Sequence, residues 1–274
     1  MKSIIANLAR SSSLILSPLI KLCSAASVVE GAEKYLAFVM GRGSGSGWDA
    51  DGEVNSIAKF IRSSTPIIFD VGANNGSWSL SLSKKLNKNA KFFLFECAPY
   101  CFPGLDERLP LIENVTLFKH AISDKRGSTK LFITTVGSGC GSLHARKDVG
   151  IVDYKYTQIE VQTKILDEVF DDLNLVTIDF LKMDIEGHEY SALLGASDLL
   201  GSNKILSLSF EFGSANVNSR TFFRDFWDLL TGKGYMIYRI IPGGGVVRVE
   251  VYSEQLEYFR GATNYIATLI DDIN

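Results

Sequence analysis

The sequence predicts an α/β fold built on a mostly parallel β-sheet, and three observations lead there. Apolar runs too short for buried helices recur, and several end at an acid: residues 66–71 reach Asp70, residues 90–95 stop before Glu96, and residues 180–185 carry Asp184. Stretches with helical spacing follow such runs, for example Trp78, Leu82 and Leu86 after the first. Residues 235–241 and 246–252 flank a turn of Pro242, Gly243, Gly244 and Gly245, a late hairpin that predicts an antiparallel edge. Repeated strand–helix units imply a parallel sheet covered on both faces.

The other elements follow in order. Val54, Ile57, Ala58 and Ile61 predict a helix at the entrance to the domain. Residues 115–122 predict a third strand, and residues 129–134 and 159–163 two shorter ones. A helix is expected over 189–200 and a strand over 205–212. Phe222, Phe223, Phe226, Leu229 and Leu230 form a helix face ending at Gly232, and residues 264–270 predict a last strand. No internal repeat is visible.

Composition narrows the function classes. With 28 Lys and Arg against 31 Asp and Glu, the net charge is −3, which lacks the basic excess needed to neutralise phosphates. A nucleic-acid partner is therefore not expected. Hydrophobic residues are 46%, which excludes a disordered chain. Four cysteines in 274 residues are too few for a disulfide scaffold.

Residues 1–47 read as a leader and 48–274 as the domain proper. The apolar stretch 14–22 contains Pro18 and Lys21 and is too short to span a bilayer, so no transmembrane span is expected. Lys2 and Arg10 before it, and small residues after it, loosely imitate a signal peptide. The expected location is cytoplasmic, with export or membrane association through the leader as the alternative. Gly41 to Gly47 alternates with Arg42, Ser44 and Ser46 and reads as a loop or linker.

Chemistry concentrates in two motifs. Asp70, Val71, Gly72, Ala73, Asn74, Asn75 and Gly76 occupy a strand-to-helix turn, where open α/β sheets bind ligands. The spacing is G-x-x-x-G rather than G-x-G-x-x-G, and Asp70 repels a pyrophosphate and favours a cation. Glu96, at the next strand tip, can accept both ribose hydroxyls of an adenosine. A ligand with adenine, ribose and positive charge but no phosphate fits, and S-adenosylmethionine (SAM) is such a ligand. The missing G-x-G-x-x-G disfavours a dehydrogenase.

The second motif is Lys182, Met183, Asp184, Ile185, Glu186, Gly187, His188 and Glu189. Acids and a histidine crowded at a strand's ligand end suit acid–base or metal chemistry; a charged loop before a helix would look similar.

Taken together, D-V-G-A-N-x-G, the acid at Glu96, A-I-S-D at residues 121–124 with Gly127, K-M-D-I-E-G-H-E, and Phe210-Glu211 resemble the FkbM family of SAM-dependent methyltransferases, over roughly residues 48–269. The resemblance implies a class I SAM-methyltransferase (Rossmann-like) fold: a mostly parallel seven-stranded sheet with an antiparallel edge strand. It implies O-methyl transfer to a hydroxyl of a sugar, glycan or natural product, a small-molecule or glycan acceptor. Carried over, Asp70, Gly72, Asn74 and Gly76 line the methionine end of SAM, Glu96 holds the ribose, and Ala121, Ser123 and Asp124 flank the adenine. Asp184 lies near the sulfonium and the acceptor. One departure is Cys97-Ala98-Pro99, where the family usually places Pro directly after the acid.

The base is expected among His188, Asp184 and Glu186, with His188 favoured for its unperturbed pKa. No metal is expected: Cys97, Cys101, Cys140 and His144 have poor spacing for zinc. A divalent-metal-dependent O-methyltransferase remains open through Asp184, Glu186, His188 and Glu211, as does a degenerate SAM-fold interaction protein without catalysis. A nucleic-acid N-methyltransferase is set aside, because its D/N-P-P-Y/F loop is absent at Asp184. Trp48, Asp49 and Tyr100 are candidates for a cavity wall. Lys84, Lys85, Lys88 and Lys91 read as a solvated surface run.

Overall fold

Five apolar runs set the architecture: β1 (Ile67–Val71), β2 (Lys91–Phe95), β3 (Val115–Phe118), β7 (Phe180–Met183) and β8 (Ser207–Phe212). They pair in parallel, in the order β3-β2-β1-β7-β8. The computed structural model describes residues 13, 23–45, 49–86, 89–133, 141–147 and 156–270. Residues 14–22, Trp48, Lys88, Thr134 and Cys140, which figure in the sequence expectations, lie outside the described residues.

The sheet continues through β11 (Thr263–Thr268), which runs antiparallel to β8 and to β9 (Met236–Ile241), and ends at β10 (Gly245–Val249), antiparallel to β9. The sheet thus has eight strands; the second arm of the late hairpin adds one to the expected seven and forms the antiparallel edge. Its pleat explains the unbroken apolar runs: alternate side chains enter different layers. Phe69, Phe93, Leu181, Leu208 and Phe210 face one core, and Ile68, Phe92, Leu94 and Phe180 face the other.

Helices close both cores. On the first face lie α5 (Leu166–Asp172), α6 (Glu189–Leu194), α7 (Ser197–Gly201) and, after the short α8 (Asn216–Ser219), α9 (Phe223–Thr231). Phe226 of α9 stacks on Phe210 with ring centroids 4.6 Å apart. On the second lie α2 (Ala50–Ala58), α3 (Ser77–Ser83) and α4 (Phe102–Arg108). Asp49 caps α2 by accepting from the Gly52 N–H at 3.0 Å, and its other oxygen accepts from Gly243 N in the β9–β10 turn at 2.7 Å.

Three expectations change in detail. The strand expected over 115–122 divides: β3 stays in the main sheet, while β4 (Ala121–Ile122) pairs with β6 (Thr157–Lys164) in a second sheet completed by β5 (Gly127–Ile133). The two shorter strands expected nearby therefore build this separate three-stranded layer. The helix expected over 189–200 breaks at Gly195 into two short helices, and glycine is needed at the break because a Cβ there would collide with the Ser123 carbonyl oxygen.

The glycine- and serine-rich segment is also more than a spacer. It follows α1 (Cys23–Val39) and lies along the β9 and β11 side of the sheet. Gly43 N donates to Thr263 Oγ1 at 2.9 Å, Gly45 N to the Ala262 carbonyl at 2.8 Å, and Arg239 Nε to the Met40 carbonyl at 2.7 Å. Gly43 has φ +77°, and an added Cβ would overlap the Arg260 carbonyl oxygen. Gly43→Ala is expected to cost about 2 kcal/mol or more, combining left-handed strain with this clash. Chemical denaturation and limited proteolysis across residues 23–45 check it; an unchanged midpoint and cleavage pattern refute the seating.

Candidate active site

The chain order reverses between β1 and β7, and a cavity of about 440 Å³ opens at the C-terminal ends of the strands flanking that point. That is where open α/β sheets take ligands, and the volume suits a small molecule. Sheet order fixes its two halves. The β2 side is lined by Glu96, Cys97, Ala98, Tyr100, Ile122, Leu131 and Leu143; the β7 and β8 side by Asp184, Ile185, Glu186, His188, Glu211 and Ser214.

Under the cavity lies a buried charge bridge. Asp70 is fully buried; it accepts from Ser79 Oγ at 2.6 Å and pairs with Lys182 Nζ at 3.3 Å. Lys182 also reaches Asp184 at 3.4 Å and sits 5.4 Å over the Trp78 ring. Burial pulls the Lys182 pKa down, but the carboxylates of Asp70, Asp184 and Glu53 outweigh it and hold it above its ordinary value. Asp70 thus stands behind the cavity wall, and Asp184, half-exposed, carries the bridge to the surface.

The turn after β1 is shaped by close approaches. Gly72 has φ +83°, and a Cβ there would overlap the Asp184 carbonyl oxygen, so glycine lets the β1 and β7 tips meet. Asn74 (φ 50°) turns its N–H onto Glu96 Oε2 at 2.8 Å. The other Glu96 oxygen accepts from Ala98 N at 2.7 Å, two residues on. Burial raises the Glu96 pKa, and the backbone N–H groups of Ala98, Asn74 and Cys97 oppose the rise. Gly76 caps α3 and packs on Leu105, outside the cavity lining.

The second motif folds back on itself. Buried Glu189 accepts from Ile185 N at 2.9 Å and Gly187 N at 3.3 Å, while its Oε2 has no partner. Glu186, in left-handed backbone (φ 56°), is paired to Arg146. Gly187 (φ +97°) lies against the Ala215 carbonyl.

His188 is engaged on both sides. Its Nε2 lies 2.9 Å from Ser123 Oγ and its Nδ1 3.0 Å from His144 Nε2. Ser123 gives its only proton to Asp124 at 3.0 Å, so it accepts from His188 Nε2–H, and Nδ1 accepts from His144. Burial, and then the neighbouring His144, push the His188 pKa down to about 4. Ala121 lines the cavity, whereas Ser123 and Asp124 serve this chain of hydrogen bonds behind it.

Several site residues escaped the sequence motifs. Arg146 and Leu143 come from a short segment held by Ser142, whose Oγ donates to the Glu186 carbonyl at 2.7 Å. Gly45, Gly261 and Ala262 close the far side. Glu53 of α2 accepts from Asn264 Nδ2 at 3.0 Å, and burial raises its pKa to about 7 against the pull of Lys182. The one signal for it was the acid-rich start of α2. Among the described residues no three His, Cys, Asp or Glu side chains converge at metal-ligand spacing, and Cys97 and Cys101 are free thiols.

Strand order 3-2-1-7-8 continued by an antiparallel strand, with an acid at each of the β2 and β7 tips, defines a class I methyltransferase architecture. The chain belongs to the FkbM methyltransferase family: residues 70–237 match the methyltransferase FkbM domain. It is similar to the 2-O-methyltransferase NoeI of Sinorhizobium fredii (strain NBRC 101917 / NGR234), at 27% identity over 161 residues, covering 55% of this chain and 65% of NoeI. It is similar to the methyltransferase sdnD of Sordaria araneosa, at 28% identity over 161 residues, covering 49% and 62% respectively. The chain therefore spans less than two thirds of either relative. Among solved structures it resembles precorrin-6y C5,15-methyltransferase from Geobacter metallireducens GS-15, with TM-score 0.42 and 13% identity over 78% of this chain and 87% of that one. No helix among the described residues is long and apolar enough to cross a membrane.

Glu189 gives a pH prediction. Burial raises its folded pKa to about 8 from an ordinary 4.5, so the folded state holds a proton that the unfolded chain releases. Stability is full below about 4.5 and falls as pH rises toward about 8. Glu189→Gln keeps an acceptor oxygen for both N–H groups and removes the titration. The stability difference between variant and wild type should widen by roughly 1 kcal/mol per pH unit across that window. Urea unfolding over a pH series measures it; parallel curves refute the assignment.

Proposed function

We propose that the chain transfers the methyl group of SAM to a hydroxyl oxygen of a sugar, glycan or natural-product acceptor. The observation that carries this reading is the acidic end of the cavity, where Asp184, Glu186 and Glu211 line the wall beside the β7 and β8 tips. Carboxylates there can accept hydrogen bonds from hydroxyl groups and draw off a proton. The similarity to a protein named 2-O-methyltransferase NoeI supports oxygen as the target.

The cavity fits the cofactor. Its apolar wall of Tyr100, Ile122, Leu131 and Leu143 suits an adenine, and Glu96, with each oxygen already oriented by an N–H, suits the ribose hydroxyls. Gly72 and Asn74 line the approach to the methionine portion, and Asp184 favours the sulfonium charge. When bound, SAM supplies a methyl carbon already activated by its sulfonium. The protein's own contribution is alignment and charge. Lys182 fixes Asp184 from below, and Arg146 fixes Glu186 at the acceptor side. Both His188 nitrogens are occupied, so His188 orients the wall, and proton removal is left to a carboxyl group. We read 48–274 as one methyltransferase domain behind the segment 1–47, in a reducing, cytoplasmic setting consistent with the free thiols at Cys97 and Cys101.

Two experiments test the reading. Calorimetry should show SAM binding, weakened about 10- to 100-fold by Glu96→Ala through loss of a charge-assisted ribose contact. Tritiated-methyl transfer to a panel of methyl glycosides and polyols should give turnover. Absence of SAM binding to the wild type would favour an interaction protein without catalysis. Loss of turnover with EDTA and its recovery with Mg²⁺ would favour the metal-dependent reading.

A further inference from the structure

Each ionisable side chain around the acceptor end already has a protein partner, with one exception. Asp184 is paired to Lys182, Glu186 to Arg146, and His188 to both Ser123 and His144. Glu211 lines the same cavity from the tip of β8, and among the described residues no donor holds its carboxyl group. The β7–β8 register pairs Met183 with Phe210, which sets Glu211 beside Asp184 at the next step. His120 Nδ1 is also unpartnered, but it sits between β3 and β4, at the opposite end of the sheet order.

We infer that Glu211 is the general base that takes the proton from the acceptor hydroxyl, an assignment that rests on the methyltransferase reading above. The acceptor O–H bond breaks and its proton passes to a Glu211 oxygen. The acceptor oxygen bonds to the methyl carbon as the carbon–sulfur bond breaks, its electron pair staying on sulfur. Glu211 then releases the proton to water.

The surroundings tune the group for this. Burial raises the Glu211 pKa well above the carboxylate range, and Asp184, Glu186 and Glu189 add to the rise while Arg146 opposes it. A carboxylate of raised basicity removes a proton more readily, and the rate should climb with pH as it ionises. Asn264, opposite on β11, is neutral and leaves that balance unchanged.

The test uses Glu211→Gln, which keeps shape and removes the base. Turnover on the best acceptor of the glycoside panel should fall about 100-fold or more, with SAM affinity within about threefold of wild type. The wild-type pH–rate curve should carry a rising limb above the ordinary carboxylate range, absent from the variant. Turnover within about threefold of wild type, or survival of that limb, overturns the assignment. A carbon-13 titration of glutamate carboxyls, assigned by difference with Glu211→Gln, reads the group without any acceptor. A raised midpoint supports the base, and an ordinary one overturns it even if the panel shows no turnover. Failure of the wild type to bind SAM would instead refute the reading on which the assignment rests.

Discussion

The ammonium of Lys182, buried between Asp70 and Asp184, is the interaction on which the site depends. A lone ammonium in that position would be prohibitively costly to desolvate, and so would the fully buried Asp70 carboxylate without it. Together they bind the β1 and β7 tips across the point where the sheet's winding reverses. The turn at Gly72, the exposed face of Asp184 and the mouth of the cavity all inherit their positions from it. A charge bridge of this kind, buried at Asp70 and Lys182 and half-exposed at Asp184, adds little net stability against an apolar replacement. Its value here is geometric: it delivers one carboxylate to the surface in a fixed orientation while hiding the other.

Around that bridge, most polar groups of the site other than Glu211 are already held by the protein. Glu96 has two backbone N–H groups, Glu186 an arginine, and Glu189 two N–H groups of its own turn. Such pre-orientation reduces reorganisation during reaction, which is where enzymes gain most from fixed dipoles and charges. The histidine pair belongs to the same scheme. His188 resembles a base in sequence, but in space it is one link in a hydrogen-bond chain from His144 to Asp124.

Much of the fold was legible because parallel strands buried on both faces leave unbroken apolar runs, and because the chemistry-bearing acids follow their ends. Asp70, Glu96 and Asp184 could be located that way. What the sequence hid were facts of three-dimensional approach. Nothing local to residues 115–122 says that the chain changes sheets at Lys119 and His120. Gly195 looks like a tolerable helix glycine until Ser123 is placed against it. Asp70 looks like a ligand-facing acid until Lys182, 112 residues later, is seen to claim it. Arg146 and His144 carry no motif of their own, since their roles arise from partners in the 184–189 loop.

The cavity's enclosure extends beyond the stretch that matches the family. Gly45 lies ahead of residue 70, and Gly261 and Ala262 lie after residue 237, yet all three close the wall. The shared signature and part of the enclosing surface thus come from different stretches of the chain. Divergence in the flanks can reshape the entrance while leaving the motif's letters intact, so two chains with the same signature need not admit the same molecules.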